Sequence, residues 1–379
     1  MNRINFQIKT IIKNPFNYIP FVILLLIITI FLFMNAAAAD NAGLKAFIKA
    51  DTTNLKSIVS QQKENLKGQT GKNLKENTAA LLENERWLKN DEDVLTAMDN
   101  KNWVAAYPLL LEKNKELENS LGENASVDEM KAIHHDILMY QALEERGVNY
   151  QEIQTPTSGT TFTLSMIQYI FPIVFVLGII LIMVSFFSEP YTGRINRDIL
   201  LPGSLSKNLL STLSTSFCVS IILLMVMTLY SFLLSSSLNG MGSWRYPILT
   251  YNLETHQMNF QNLSNIIGPS LVLQMFSLLF LCTFSSLITY ILRDRLASLF
   301  VSVLFIMGMM FGTRVIVPIQ RLAEFLPTTY LMGVSTATGE LANSINNFSV
   351  SVSNGIIVLA LSTFVLFGCR YTLAYKMEK

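Results

Sequence analysis

Six stretches of the chain lack Asp, Glu, Lys and Arg and are long enough to cross the hydrocarbon of a bilayer, which takes about 20 apolar residues. They run Asn14–Ala39, Ile153–Ser188, Asn208–Trp244, Thr255–Leu292, Leu296–Thr313 and from Leu341 up to Arg370. Trimmed to their apolar cores they predict six helices, over residues 18–39, 165–187, 209–236, 267–292, 296–317 and 353–374. The fourth and fifth are separated by Arg293-Asp294-Arg295, enough for a tight hairpin turn.

Between the first two apolar stretches the pattern changes. Over Asp40–Glu152 the apolar residues recur at helical spacing, as in the stripe Leu44, Phe47, Ile48, Leu55, Ile58 and Val59. Turn signals at Gly68–Gly71, Asn90-Asp91, Asn100–Asn102 and Gly122–Asn124 divide the block into four or five helices. Ser126 followed by Glu129 is a capping box that starts a helix with Met130, Ile133, Ile137 and Tyr140 on one face. A block of this length can bury a core of its own. The expected fold class is therefore an all-α membrane protein, with a helical bundle at 40–160 standing on the first two spans.

Charge sets the orientation. The whole chain is only 15% charged and 51% apolar, too little charge to cover a water-soluble globule. Its formal net charge of +1 hides a split. Asp40–Glu152 holds 14 Lys and Arg against 20 Asp and Glu, and the remainder holds 14 against 7. With alternating spans, Arg3, Lys9, Lys13, Arg194, Arg197, Lys207, Arg293, Arg295, Arg370, Lys376 and Lys379 all fall on one side. Arg245, Arg314 and Arg321 fall on the other. The bias of short basic loops toward the cytoplasm puts both termini inside and residues 40–160 outside, in a multi-pass plasma-membrane topology. High Lys, Asn and Ile points to an AT-rich bacterial genome.

The leader before the first span carries Ile4, Ile8, Ile11 and Ile12 on one helical face, with Arg3, Lys9 and Lys13 off it. Residues 1–17 thus read as an amphipathic helix lying on the inner membrane surface. The competing reading, a signal peptide cut near Met34–Ala39, fits less well because the leader before the apolar run is long.

Chemistry of its own is sparse. The three cysteines, Cys218, Cys282 and Cys369, all lie in apolar stretches. His134-His135-Asp136 is the sole cluster with metal-type residues, but adjacent helical positions diverge by about 100°, whereas zinc prefers i, i+4 spacing. Trp87, Trp103 and Tyr107 suit helix packing better than a ligand platform. No P-loop occurs: Gly68-Gln-Thr-Gly-Lys-Asn has the wrong spacing and no terminal hydroxyl. The apolar cores hold no Asp, Glu, Lys or His that could carry a coupling ion, and Arg314, at the outer end of the fifth, can snorkel to water. Neither a cofactor bound by this chain nor nucleic acid is expected.

The cytoplasmic loop reads Glu189-Pro-Tyr-Thr-Gly-Arg-Ile-Asn-Arg-Asp-Ile-Leu-Leu-Pro-Gly-Ser-Leu-Ser-Lys207. An acid follows the span, then a Gly turn, a short leucine-bearing stretch of mixed charge, a Pro break and a Ser-Lys lead-in. The arrangement resembles the permeases of the ABC-two exporter family. Glu189, Gly193, Arg194, Leu200, Leu201, Pro202, Ser206 and Lys207 stand at the family's loop positions, although Gly203-Ser204-Leu205 lengthens the step from Pro to Ser-Lys. The segment 318–350, with Leu326-Pro-Thr-Thr-Tyr330, resembles the family's re-entrant helices. A large block between spans one and two occurs in only some of its members.

The resemblance implies a permease subunit of an ATP-driven exporter. Two permease chains, identical or paralogous, would pair and dock separate ABC ATPase subunits, which hold the ATP and Mg, through the coupling loop 188–207. It would move an amphipathic substrate outward: a peptide, an antimicrobial or a lipid-like molecule. Met307, Met310, Thr283 and Ser286 are the candidate lining of the pathway, and Gly308 and Gly312 form a Gly-x-x-x-Gly packing motif. The alternatives are a receptor or sensor whose outer bundle binds a ligand and, behind it, a membrane enzyme.

Overall fold

The computed structural model describes residues 7, 9, 11, 13, 17–67, 72–121, 126–192, 195–196, 204–255 and 257–378. They fall into two compact units: a polar one, Leu32–Ser158 with Ser243–Pro247, and an apolar one, Met1–Phe31, Gly159–Gly242 and Ile248–Lys379. Helix α1 spans Tyr18–Ala42. In the polar unit α2 spans Leu44–Leu66, α3 Lys72–Asp99, α4 Trp103–Leu121 and α5 Val127–Arg146.

Each helix of the polar unit packs on the next in sequence. The ion pairs Lys45–Asp99, Lys56–Glu92 and Lys63–Glu85 run in opposite order along α2 and α3, which fixes them as antiparallel. Such exposed pairs set register more than they stabilise. The expected capping box starts α5: the Ser126 backbone N–H donates to Glu129 Oε2 at 2.9 Å and the Glu129 N–H to Ser126 Oγ at 3.2 Å. The Glu152 carboxylate accepts from the Leu44 N–H at 2.6 Å, satisfying a free donor at the start of α2.

Asn90-Asp91 is not a turn. Both residues lie inside α3, where Asn90 Nδ2 donates to Leu109 O and Asp91 is buried against Lys113 of α4. A tertiary ion pair here overrides a local polar signal.

The other unit contains most of the apolar helices. Here α6 spans Gly159–Ser188, α7 Leu205–Asn239, α8 Leu263–Leu292 and α9 Arg295–Val315. Three short helices follow, α10 (Val317–Arg321), α11 (Gly333–Ala337) and α12 (Glu340–Ser344), then α13 (Val352–Glu378). Six helices are long and apolar enough to cross a membrane: α1 running on into α2, then α6, α7, α8, α9 and α13. Enclosure is uneven. The apolar windows of α6 and α8 are 72% and 67% buried, against 11% to 33% for the other four. Outward-facing Leu26, Leu229, Phe300 and Phe364 give the unit an apolar exterior, compatible with a multi-pass membrane protein.

Two features had no sequence signal. The middle of α6, Met166–Phe175, is a π-helix around Pro172. Proline cannot donate to the ordinary ladder, and the wider turn accommodates the gap. The strands β1 (Tyr191–Thr192) and β2 (Ile195–Asn196) pair antiparallel, and β3 (Pro247–Tyr251) pairs with β4 (Met258–Asn262). The Tyr251 N–H donates to Thr338 O at 2.7 Å, fastening β3 to the turn between α11 and α12. That turn requires glycine: Gly339 has φ +72°, and a Cβ there would lie 2.5 Å from Tyr251 O.

Candidate functional site

The chain entering α1 alternates in exposure. Gln7 and Ile11 are buried, whereas Lys9 and Lys13 face out. Gln7 Nε2 donates to Thr212 Oγ1 at 2.8 Å and Thr215 Oγ1 donates to Gln7 Oε1 at 3.0 Å. An amide with hydroxyl partners on α7 thus anchors the segment, beside apolar Ile11.

Glu189 stands exposed just past the end of α6, where its N–H still reaches Phe186 O at 3.4 Å. Gly193, Arg194, Leu200, Leu201 and Pro202 lie outside the described residues, so that part of the coupling motif is known from sequence alone, whereas Ser206 and Lys207 are exposed in the first turn of α7.

The interior between α6, α7 and α8 is rich in small hydroxyls. Thr283 and Ser286 are both buried on α8, and Thr283 Oγ1 donates to Leu279 O of its own helix at 2.9 Å. Thr289 does the same to Ser285 O at 2.7 Å. Bonding within the helix hides the hydroxyl and leaves a side chain small enough for neighbouring helices to approach. Met310 on α9 is buried and Met307 half-buried. The Gly-x-x-x-Gly pattern divides: Gly312 is buried, and a Cβ there would meet Ile319 at 3.2 Å, whereas Gly308 is exposed with nothing within 4 Å. Gly308 therefore makes no close helix contact, and the motif packs at one glycine only.

Sequence reasoning missed the polar node beside the π-helix. Gln274 of α8 is fully buried and its Nε2 donates to Ile167 O at 3.4 Å. A carboxamide near the middle of a charge-free 30-residue helix was the available signal. One turn on, Ser277 Oγ donates to Leu273 O at 2.9 Å and to Tyr330 O at 3.3 Å. Tyr330 sits in the buried 3-10 segment Pro327–Leu331, with its hydroxyl on Glu324 O at 2.7 Å. Among the described residues, Gln274 Oε1, Thr328 Oγ1 and Thr329 Oγ1 are buried polar atoms without a hydrogen-bond partner. Unpaired groups at such depth are costly, which marks the node as a place where partners can be exchanged. At the end of α9, the Arg314 guanidinium donates to Met332 Sδ at 3.0 Å and 3.2 Å, and nearby Gln168 donates to Glu340 at 3.0 Å.

In the polar unit, Trp103, Tyr107, Tyr140 and Tyr150 form a chain of ring contacts with centroids 5.7 to 6.4 Å apart. Tyr107 is buried and donates to Val148 O at 2.5 Å. Burial pushes its phenol well above the ordinary range, so it remains a neutral donor. The rings pack the start of α4 against α5 and the segment after it. Tyr107→Phe leaves the Val148 carbonyl unmatched and is expected to cost about 1–2 kcal/mol, read as a lower denaturation midpoint of this unit. His134 pairs with Glu118 at 3.8 Å and His135 with Asp136 at 3.2 Å. Among the described residues no three metal-type ligands converge. Comparison with protein-family models, curated proteins and solved structures finds no match to this chain.

Proposed function

We propose that the chain is the membrane subunit of an exporter driven by separate ATPase subunits, which moves an amphipathic substrate outward. The observation that carries this reading is the chemistry of the apolar unit's interior. Among the described residues its buried polar side chains are serine, threonine, asparagine and glutamine, with Tyr290, Tyr330, the thiol of Cys282 and one charged group, Arg370. Neutral hydrogen-bonding groups can line or reshape a path, but they bind no coupling proton and make no nucleophile at neutral pH. This reading assigns the work to another chain, with the loop after Glu189 and the anchored basic segment at Gln7–Lys13 as its docking surface.

In this reading residues 188–207 receive the ATPase, a second permease copy completes the path, and the polar unit faces the outside. Met307, Met310, Thr283 and Ser286 flank the route, and the Gln274–Tyr330 node, with its unpaired acceptors, rearranges as the route opens. Affinity purification of the tagged chain from its native membranes tests this. An ATP-binding protein recovered in near-equal amount is expected, and charge reversal at Glu189 and Arg194 together should release it. Recovery of the chain alone, or a partner unaffected by that reversal, would count against docking at this loop.

A further inference from the structure

The exposed apolar face of α9 does not stop where the helix does. Phe300, Leu304, Gly308, Phe311 and Val315 recur at helical spacing and are all exposed. Past Val315 the apolar surface runs on through Ile316, Val317, Leu322 and Phe325, which are 47% to 65% exposed. The short helix α10 has no buried residue. The chain then turns inward, and every residue from 328 to 336 is buried.

This is the reverse of a loop that faces water. Val, Ile, Leu and Phe lie outside, whereas the buried stretch contains Thr328, Thr329, Ser335 and Thr336. Polar groups beside the exposed apolar ones are tied inward. Gln320 Nε2 donates to Arg314 O at 2.9 Å, and Gln320 O accepts from Asn347 Nδ2 at 3.2 Å. The N–H groups of Ile319, Gln320, Leu322 and Phe325 donate to carbonyls three or four residues back, at 2.9 to 3.0 Å. Backbone satisfied in this way tolerates a medium poor in water.

Length decides which part of the membrane the segment meets. The 21 residues of α9 rise about 31 Å, one hydrocarbon thickness, so in a multi-pass chain the residues after Val315 fall at its boundary. The cations Arg314 and Arg321 are exposed there, and the acid Glu324 is half-buried. Exposed arginine beside exposed apolar side chains matches a phospholipid surface, where phosphates lie above acyl chains. A two-fold contact with a second copy across this patch would instead turn its arginines toward one another.

We propose that residues 315–325 form an interfacial anchor, with Val317, Leu322 and Phe325 immersed in the lipid surface at the end of α9 and Arg314 and Arg321 on its phosphates. Immersion would hold one end of the buried Pro327–Leu331 segment, to which Tyr330 of the polar node belongs. The inference rests on the multi-pass reading of the chain given above.

The full-length protein, with Cys218→Ser and Cys369→Ser, receives a single nitroxide through Val317→Cys, Leu322→Cys or Phe325→Cys. It is reconstituted in vesicles of phosphatidylglycerol and phosphatidylcholine. Collision with oxygen, which concentrates in lipid, is compared with collision with a neutral nickel chelate, which stays in water. Labels at Phe300 of α9 and Leu82 of α3 serve as the lipid and water references. All three test labels should favour oxygen over nickel several-fold more than the Leu82 label does. Arg314→Gln with Arg321→Gln should shift them toward nickel. Nickel collision equal to that at Leu82 overturns the proposal, as does spin–spin broadening that dilution with unlabelled chain removes, the mark of a second copy. Values unchanged by the two glutamines overturn the part given to the arginines. Nickel access at Phe300 as well would instead overturn the multi-pass reading beneath the proposal.

Discussion

Replacing Lys113 with alanine should destabilise the polar unit by about 3–5 kcal/mol, because it leaves buried acid without its counter-ion. Lys113 Nζ bridges Asp91 of α3 at 2.7 Å and Asp51 of α2 at 2.8 Å, and Asp91 is almost completely buried. Three helices therefore meet at one ammonium, which also lies 6.0 Å from the Trp87 ring. Two carboxylates share a single cation, so the set carries an excess negative charge. Desolvation pushes the Asp91 carboxyl above its ordinary range, against the pull of Lys113 and helped by the nearby Asp51. The lysine itself is held charged: its bonds to Asp51 and Asp91 together outweigh desolvation and raise it.

The sign of the pH effect follows. An acid whose folded value is raised favours the folded state below its unfolded value, and that advantage is lost as pH rises through the folded value. Asp91 on its own account therefore makes the unit more stable on mild acidification. Asp91→Asn should remove that gain and cost much less than Lys113→Ala, since the lysine keeps Asp51. All three tryptophans, Trp87, Trp103 and Trp244, belong to this unit, so their fluorescence during denaturation reports it selectively. A Lys113→Ala protein with an unchanged midpoint would show that the pairing contributes nothing.

The second large effect is expected at Gly355 in α13. A Cβ there would lie 2.5 Å from Tyr330 Cδ1 and 2.9 Å from Leu273 Cδ1, a separation that packed carbon atoms do not tolerate. Gly355→Leu must displace Tyr330, and with it the hydroxyl bond to Glu324 O and the backbone acceptor of Ser277. Overpacking of this kind costs about 1–3 kcal/mol, and here the strain falls on the 3-10 segment. Faster proteolysis within residues 317–345 of the variant should reveal it. Combining Gly355→Ala with Tyr330→Leu should recover much of the loss relative to Gly355→Ala alone, because the two positions share one contact.

The apolar helices were legible because a charge-free run of some 20 residues has few other uses, and α8 ends at Leu292 in both readings. Sequence read the Ser126–Glu129 cap correctly because all its partners lie within one turn. Local signals failed where distant residues decide the outcome. Asn90-Asp91 reads as a turn until Lys113, 22 residues on, is placed beside it. The π-helix was hidden because proline within an apolar run signals a break without saying how the ladder closes around it. Of the candidate site, Glu189 is proposed from the motif and the structure shows only its exposed place after α6. Gln274 and Tyr330 became a node only once the segment after α9 was seen to fold back against α8.

The central claim is that this chain moves substrate using energy supplied by another. It is tested most directly by ATP hydrolysis in proteoliposomes holding the chain alone, the partner ATPase alone, and both, with wild-type or Glu189→Lys permease. The account predicts no hydrolysis by the chain alone, and stimulation of the ATPase by the wild-type permease that Glu189→Lys abolishes. Hydrolysis by the highly purified chain itself, or identical ATPase rates with and without it, would contradict the account.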